Sequence, residues 1–82
     1  MRHRSVFANG RHLAAARTMA GLKQTELAAL AGLHVNSLKR LERMAHIHGS
    51  DHAAKRIEDS LRAKGIIAAT WPTPFVRMAD PA

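Results

Sequence analysis

Four side chains, Val35, Asn36, Lys39 and Arg40, meet one surface together if residues 34–43 are helical. At about 100° per residue they share, with Arg43, an arc of roughly 140°. Leu38 and Leu41 point the other way. The chemistry of that arc is hydrogen bonding, not bond making. Asn can pair with two groups on an adenine edge, Arg with two on guanine, and Val can touch a thymine methyl. A well-made bidentate pair of this kind discriminates between bases by roughly 1–3 kcal/mol. The bland alternative for the same residues is a solvated basic face.

A second cluster is the run "HIHGSDH", which places His46, His48, Asp51 and His52 close together. These residue types hold zinc or nickel. The segment spans an expected loop and a helix start, and no cysteine or second cluster supports it. No metal is expected. Protonation near pH 6.5 would instead add charge to a polar loop beside phosphates. Asp51 reads as a helix cap. Glu58 and Asp59 are neighbours in an expected helix and therefore point apart. There is no supported Ser/His/Asp or Cys/His arrangement and no phosphate-binding loop. Neither an enzyme nor a cofactor is expected.

Charge narrows the partner. Thirteen Lys and Arg against six Asp and Glu leave 82 residues at +7 with His neutral. Such an excess repels itself unless a polyanion relieves it. Nucleic acid is the first candidate and an anionic membrane surface the second. The basic residues are spread along the chain, as on a folded surface. Only three aromatics occur (Phe7, Trp71 and Phe75), too few for a platform that stacks single-stranded bases. The absence of cysteine fits a reducing, cytoplasmic setting. No apolar run approaches the ~20 residues of a membrane span, and the N-terminus lacks the apolar stretch of a secretory signal.

Four helices and an extended tail are expected to position these groups. The first is "GRHLAAARTMAG", with Asn9 as N-cap and Gly21 at its end. The second is "KQTELAALA", with Leu27, Leu30 and Ala31 on one face and Gly32 closing it. A third runs from about His34 to Arg43. Short helix, glycine turn and short helix in succession read as a helix-turn-helix. Residues 44–50 read as a loop. A fourth helix is capped by Ser50 or Asp51, buries Ala54, Ile57 and Leu61, and ends at Gly65. "IIAA" and "PFVRM" then read as two short strands around the proline-containing "TWPTP".

The stretch "LAAARTMAGLKQTELAALAGLHVNSLKRLER" resembles the Cro/C1-type, or XRE-like, helix-turn-helix of the phage-repressor class. The matching positions are Leu13, Arg17, Gly21, Gln24, Leu27-Ala28, Ala31-Gly32-Leu33 and Leu38 through Leu41-Glu42. The resemblance implies base reading by Val35, Asn36, Lys39 and Arg40. It implies phosphate contacts by Lys23, Gln24, Thr25, His34, Ser37 and Arg43, with Gln24 also bracing the reading helix. Arg17 and Glu42 would form a structural ion pair between the first and third helices. Two positions depart from the pattern. Lys23 stands where the family has a Ser or Thr cap, a loss of ~1 kcal/mol. His34 replaces a common Ser or Thr, and either capping or contact with DNA would suit it.

The expected architecture is therefore an all-α, four-helix DNA-binding domain over residues 1–65, with the helix-turn-helix at about 23–43. Residues 66–82 form a short β-like arm. An isolated two-strand hairpin is marginal in water. Ile66, Ile67, Trp71, Phe75 and Val76 are accordingly expected at a homodimer contact, with closure within the monomer as the alternative. The function expected is a regulator of double-stranded DNA, most simply a repressor on a pseudo-palindromic operator with half-sites roughly 34 Å apart. Activation stays open. Rival readings are an antitoxin-type protein with an unknown protein partner, a protein-interaction module, and a nonspecific nucleoid binder.

Overall fold

The computed structural model describes residues 6–70 and 72–80. Arg2 and Arg4, and Trp71 of the expected dimer contact, lie outside the described residues. The order of elements is α1 (Gly10–Met19), α2 (Gln24–Leu30), α3 (Val35–Glu42), α4 (His52–Ala63), β1 (Ile66–Ala69) and β2 (Phe75–Met78).

Each helix begins where a side chain satisfies free backbone donors. Asn9 Oδ1 accepts from the His12 N–H at 2.9 Å and starts α1. Asp51 Oδ1 accepts from the Ala54 N–H at 3.0 Å and starts α4. The start of α2 is only half capped. The Glu26 carboxylate accepts from the Lys23 N–H at 2.8 Å, but the Lys23 ammonium has no lone pair with which to return the bond. The end of α2 is a Schellman turn. There the N–H of Leu33 donates to the Ala28 carbonyl at 2.8 Å and that of Gly32 to Ala29 at 3.1 Å. Gly32 adopts φ +68°, a conformation side chains disfavour.

The core draws Leu13 and Ala16 from α1, Leu27 and Ala28 from α2, Leu38 and Leu41 from α3, and Ala54, Ile57 and Leu61 from α4. Leu30, expected on the buried face of α2, is 52% exposed. The buried arc is centred between Leu27 and Ala28 and includes Ala31. Leu30 falls about 60° to the far side of Leu27. Core residues also come from the irregular segments that flank the helices. Phe7 precedes α1 and Ile47 sits in the loop before α4, and both are fully buried. The N–H of Ile47 donates to the Ala8 carbonyl at 3.3 Å, joining those two segments.

The C-terminal strands form an antiparallel hairpin, from Ile66↔Met78 to Ala69↔Phe75, and pack against α1 and α4. Ile66 is buried in the core of its own chain, and Val76 packs on it. A buried imidazole joins the hairpin to the helices. His12 Nδ1 accepts from the Ala8 N–H at 3.0 Å. Its Nε2 therefore carries the proton and donates to the Phe75 carbonyl at 2.7 Å. Both ring nitrogens are thereby engaged, Nδ1 as acceptor and Nε2 as donor.

α1 and α3 approach closely at Gly10. The Gly10 N–H donates to the Met44 carbonyl at 2.8 Å. A Cβ on Gly10 would overlap the Leu41 and Glu42 carbonyl groups. Gly10→Ala is therefore expected to lower stability by ~1–3 kcal/mol through overpacking. Urea denaturation measures this, and an unchanged midpoint would show that the contact is dispensable.

Candidate nucleic-acid interface

Glu42 joins the three helices that define the site. Arg17 of α1 donates to it twice, from Nε to Oε2 at 2.7 Å and from Nη2 to Oε1 at 3.1 Å. Gln24 of α2 donates its Nε2 proton to the same Oε1 at 3.1 Å. The remaining Arg17 nitrogen, Nη1, reaches the Leu22 carbonyl at 2.9 Å. The α1–α2 turn, the start of α2 and the end of α3 thus converge on one carboxylate. A bidentate, charge-assisted fork fixes orientation as well as distance.

His34 caps α3. Its Nδ1 accepts from the Asn36 N–H at 3.1 Å. In the neutral ring the proton then lies on the exposed Nε2, which is left as a donor to solvent or a ligand. The sequence left cap and contact as alternatives for this residue. The geometry gives the cap to one ring nitrogen and leaves the other free.

Leu38 and Leu41 anchor α3, and its opposite side carries exposed Asn36, Lys39, Arg40 and Arg43. Val35 and Ser37 are partly buried, and Val35 packs against the core. The side chains of Asn36 and Lys39 make no hydrogen bond or ion pair among the described residues. Arg40 does. Its guanidinium lies 4.0 Å from Asp51 Oδ2 and 3.6 Å from Met44 Sδ. Lys23 and Thr25 are exposed at the start of α2, beside partly buried Gln24. Of the residues expected at a dimer contact, Ile67 and Val76 are partly buried and Phe75 is 36% exposed. Ile66, only 3% exposed, faces inward.

Charge is distributed unevenly. On α4, Lys55 pairs with Glu58 at 2.9 Å and Asp59 at 3.5 Å, and Arg62 pairs with Glu58 at 3.4 Å. The hydrogen bond and charge of Glu58, helped by Asp59, hold the Lys55 ammonium above its usual range. Around the helix-turn-helix there is less compensation. Lys23, Lys39 and Arg43 have no acidic partner among the described residues, nor does Arg56. The Arg56 guanidinium lies beside Gly32, 3.5 Å from where a Cβ would stand. Arg56 was not singled out from the sequence, because a lone arginine on a fourth helix does not announce which turn it will face.

Two short helices joined by a glycine turn, with the second held at its far end by the first helix of the chain, define a helix-turn-helix domain. A family model described as Helix-turn-helix matches residues 13–62. The chain belongs to the Cro/C1-type helix-turn-helix family of DNA-binding transcription regulators. No curated protein matches the chain. Among the described residues, no helix is long and apolar enough to cross a membrane.

Glu42→Gln preserves shape but removes the charge that two guanidinium nitrogens meet. A loss of ~1–3 kcal/mol is expected, the scale of hydrogen bonds to charged groups. Thermal unfolding monitored by circular dichroism gives the value, and equal melting temperatures for variant and parent would make the pair energetically idle.

Proposed function

We propose that this chain is a transcriptional repressor that binds a pseudo-palindromic operator as a homodimer, with α3 in the major groove. The observation that carries the reading is the free side of α3. Asn36 and Lys39 are exposed on a helix whose other side is locked, and neither side chain has a hydrogen bond or ion pair among the described residues. A groove about 12 Å wide admits one such helix. Asn36, Lys39, Arg40 and the exposed part of Val35 then read base edges. Lys23, Gln24, Thr25, His34, Ser37 and Arg43 meet phosphates, which position the domain without carrying sequence information. Occupancy of a promoter is enough for repression.

The hairpin supplies the dimer surface. Its register places Ile66, Ala68, Val76 and Met78 on one face and Ile67, Ala69, Phe75 and Arg77 on the other. Ile66 and Val76 face the core, so Ile67, Ala69 and Phe75 give the outer face an apolar character. A two-stranded sheet also leaves edge groups unpaired, and pairing with a twin satisfies them.

Selection of bound duplexes from a random pool tests specificity, palindromy and spacing together. Asn36→Ala and Arg40→Ala are each expected to lose ~1–3 kcal/mol of discrimination at particular base positions. Lys23→Ala is expected to weaken all duplexes alike. An unchanged site preference in Arg40→Ala would remove that residue from base reading, and a parent that enriches no sequence would overturn specific recognition. For the dimer, Phe75→Glu is expected to sediment as a monomer under conditions where the parent is dimeric. A parent that is itself monomeric when bound to DNA would exclude the hairpin contact.

A further inference from the structure

The six acidic side chains all have partners, and they leave Arg11, Lys23, Lys39, Arg43, Arg56 and Lys64 without one among the described residues. Two of these unpaired cations line a single groove. It has a volume of ≈ 520 Å³ and lies between the first turn of α1 and the end of α3, with Arg11 on one wall and Arg43 on the other. Both side chains are exposed. Glu42 also lines the groove, but Arg17 and Gln24 already engage its oxygens. The groove therefore keeps its positive character.

Its walls are fixed relative to each other. The bond from the Gly10 N–H to the Met44 carbonyl, 2.8 Å long, joins residues adjacent to Arg11 and Arg43. The close approach at Gly10 leaves no slack in that joint. Arg43 follows Lys39 by one helical turn, on the same side of α3. The two are therefore neighbours in a cationic track that leaves the end of α3 and continues onto α1. A track of this kind suits an extended chain of phosphodiesters better than a compact anion.

We propose that Arg11 and Arg43 form a phosphate clamp that holds the backbone of the duplex at the far end of the reading helix. This rests on the proposed DNA-binding function and adds a contact from α1, outside the helix-turn-helix. Guanidinium forks bind phosphate oxygens in pairs. The clamp contributes affinity and register, and no base discrimination.

The test is a fluorescence-anisotropy titration of the full chain on several 30-base-pair duplexes of unrelated sequence, over a series of salt concentrations. Arg11→Gln is expected to weaken binding to every duplex by the same factor. It should also reduce the slope of log affinity against log salt by ~0.9 for each bound protomer, the amount for one phosphate contact. Arg11→Lys, which keeps the charge, should retain most of the parent slope. Arg62→Gln, on the compensated surface of α4, serves as the control and should match the parent. Melting temperature shows that Arg11→Gln is folded, as expected for an exposed side chain. A parent slope in Arg11→Gln, alongside a reduced slope in Lys23→Ala, would overturn the clamp and leave the DNA-binding reading intact. A loss confined to one duplex would overturn it too, because a phosphate contact is blind to sequence. If the parent binds no duplex, the functional reading fails and the clamp fails with it.

Discussion

The position of α3 depends on one carboxylate. The helix has eight residues, too few to be stable alone in water. Leu38 and Leu41, with Val35 packed beside the core, fix how deeply it sits, but apolar contacts alone leave a short cylinder free to roll and slide. Glu42 removes that freedom, because Arg17 holds it in a planar fork and Gln24 adds a third bond. Side-chain exposures of 19% for Arg17 and 9% for Glu42 place the pair between the surface and buried limits. A surface pair contributes little, and a buried pair often gains little over an apolar replacement. What the arrangement supplies is direction. Arg17 of α1 and Gln24 of α2 share one acceptor, so an error in the angle of α3 breaks its bonds to both other helices.

A second constraint is size. With four short helices the core is small, and segments outside the helices complete it. Phe7, Ile47 and Ile66 close three sides that the helices leave open. The hairpin is consequently part of the body. His12 enforces this by bonding the segment before α1 with one nitrogen and β2 with the other. A cationic imidazole would have two donors and no acceptor, so the bond from the Ala8 N–H requires the neutral ring. The outward face of the hairpin is thus presented on a support tied to α1, the same helix that orients α3 through Arg17.

Much of this was legible in the sequence because it is local. Asn9 and Asp51 sit where caps belong, Gly32 where a left-handed residue ends a helix, and the apolar spacing of α4 points to one side. Strand ends and the turn followed from two prolines and a change of period. The family pattern placed Arg17 and Glu42 opposite each other, a long-range pairing that spacing alone does not give. What was not legible depends on tertiary packing. Leu30 looks like core by type and falls outside the buried arc by about 60°. Phe7 and Ile47 lie in segments with no period to mark a face. His12 resembles any polar residue near a helix start until Ala8 and Phe75 are brought to its two nitrogens. Arg11 and Arg43 are 32 positions apart in the chain, and only the contact of Gly10 with Met44 makes them neighbours.

Arg40 shows how the same surface can be ordered and still available. It is the one cation on the exposed side of α3 with an acidic neighbour, Asp51, and that neighbour is already committed to capping α4. At 4.0 Å, with the Arg40 side chain 56% exposed, such a pair contributes at most about 1 kcal/mol. A bidentate bond to a guanine edge discriminates by roughly 1–3 kcal/mol. For the proposed mode of reading, the base therefore wins the guanidinium from the carboxylate, and the cost of the exchange is small. Until then Asp51 narrows the conformations of a long side chain that would otherwise lose its freedom on binding. The cap residue of α4 thus links the position of that helix to the direction of a side chain on α3, as Glu42 links α1 and α2 to the helix itself.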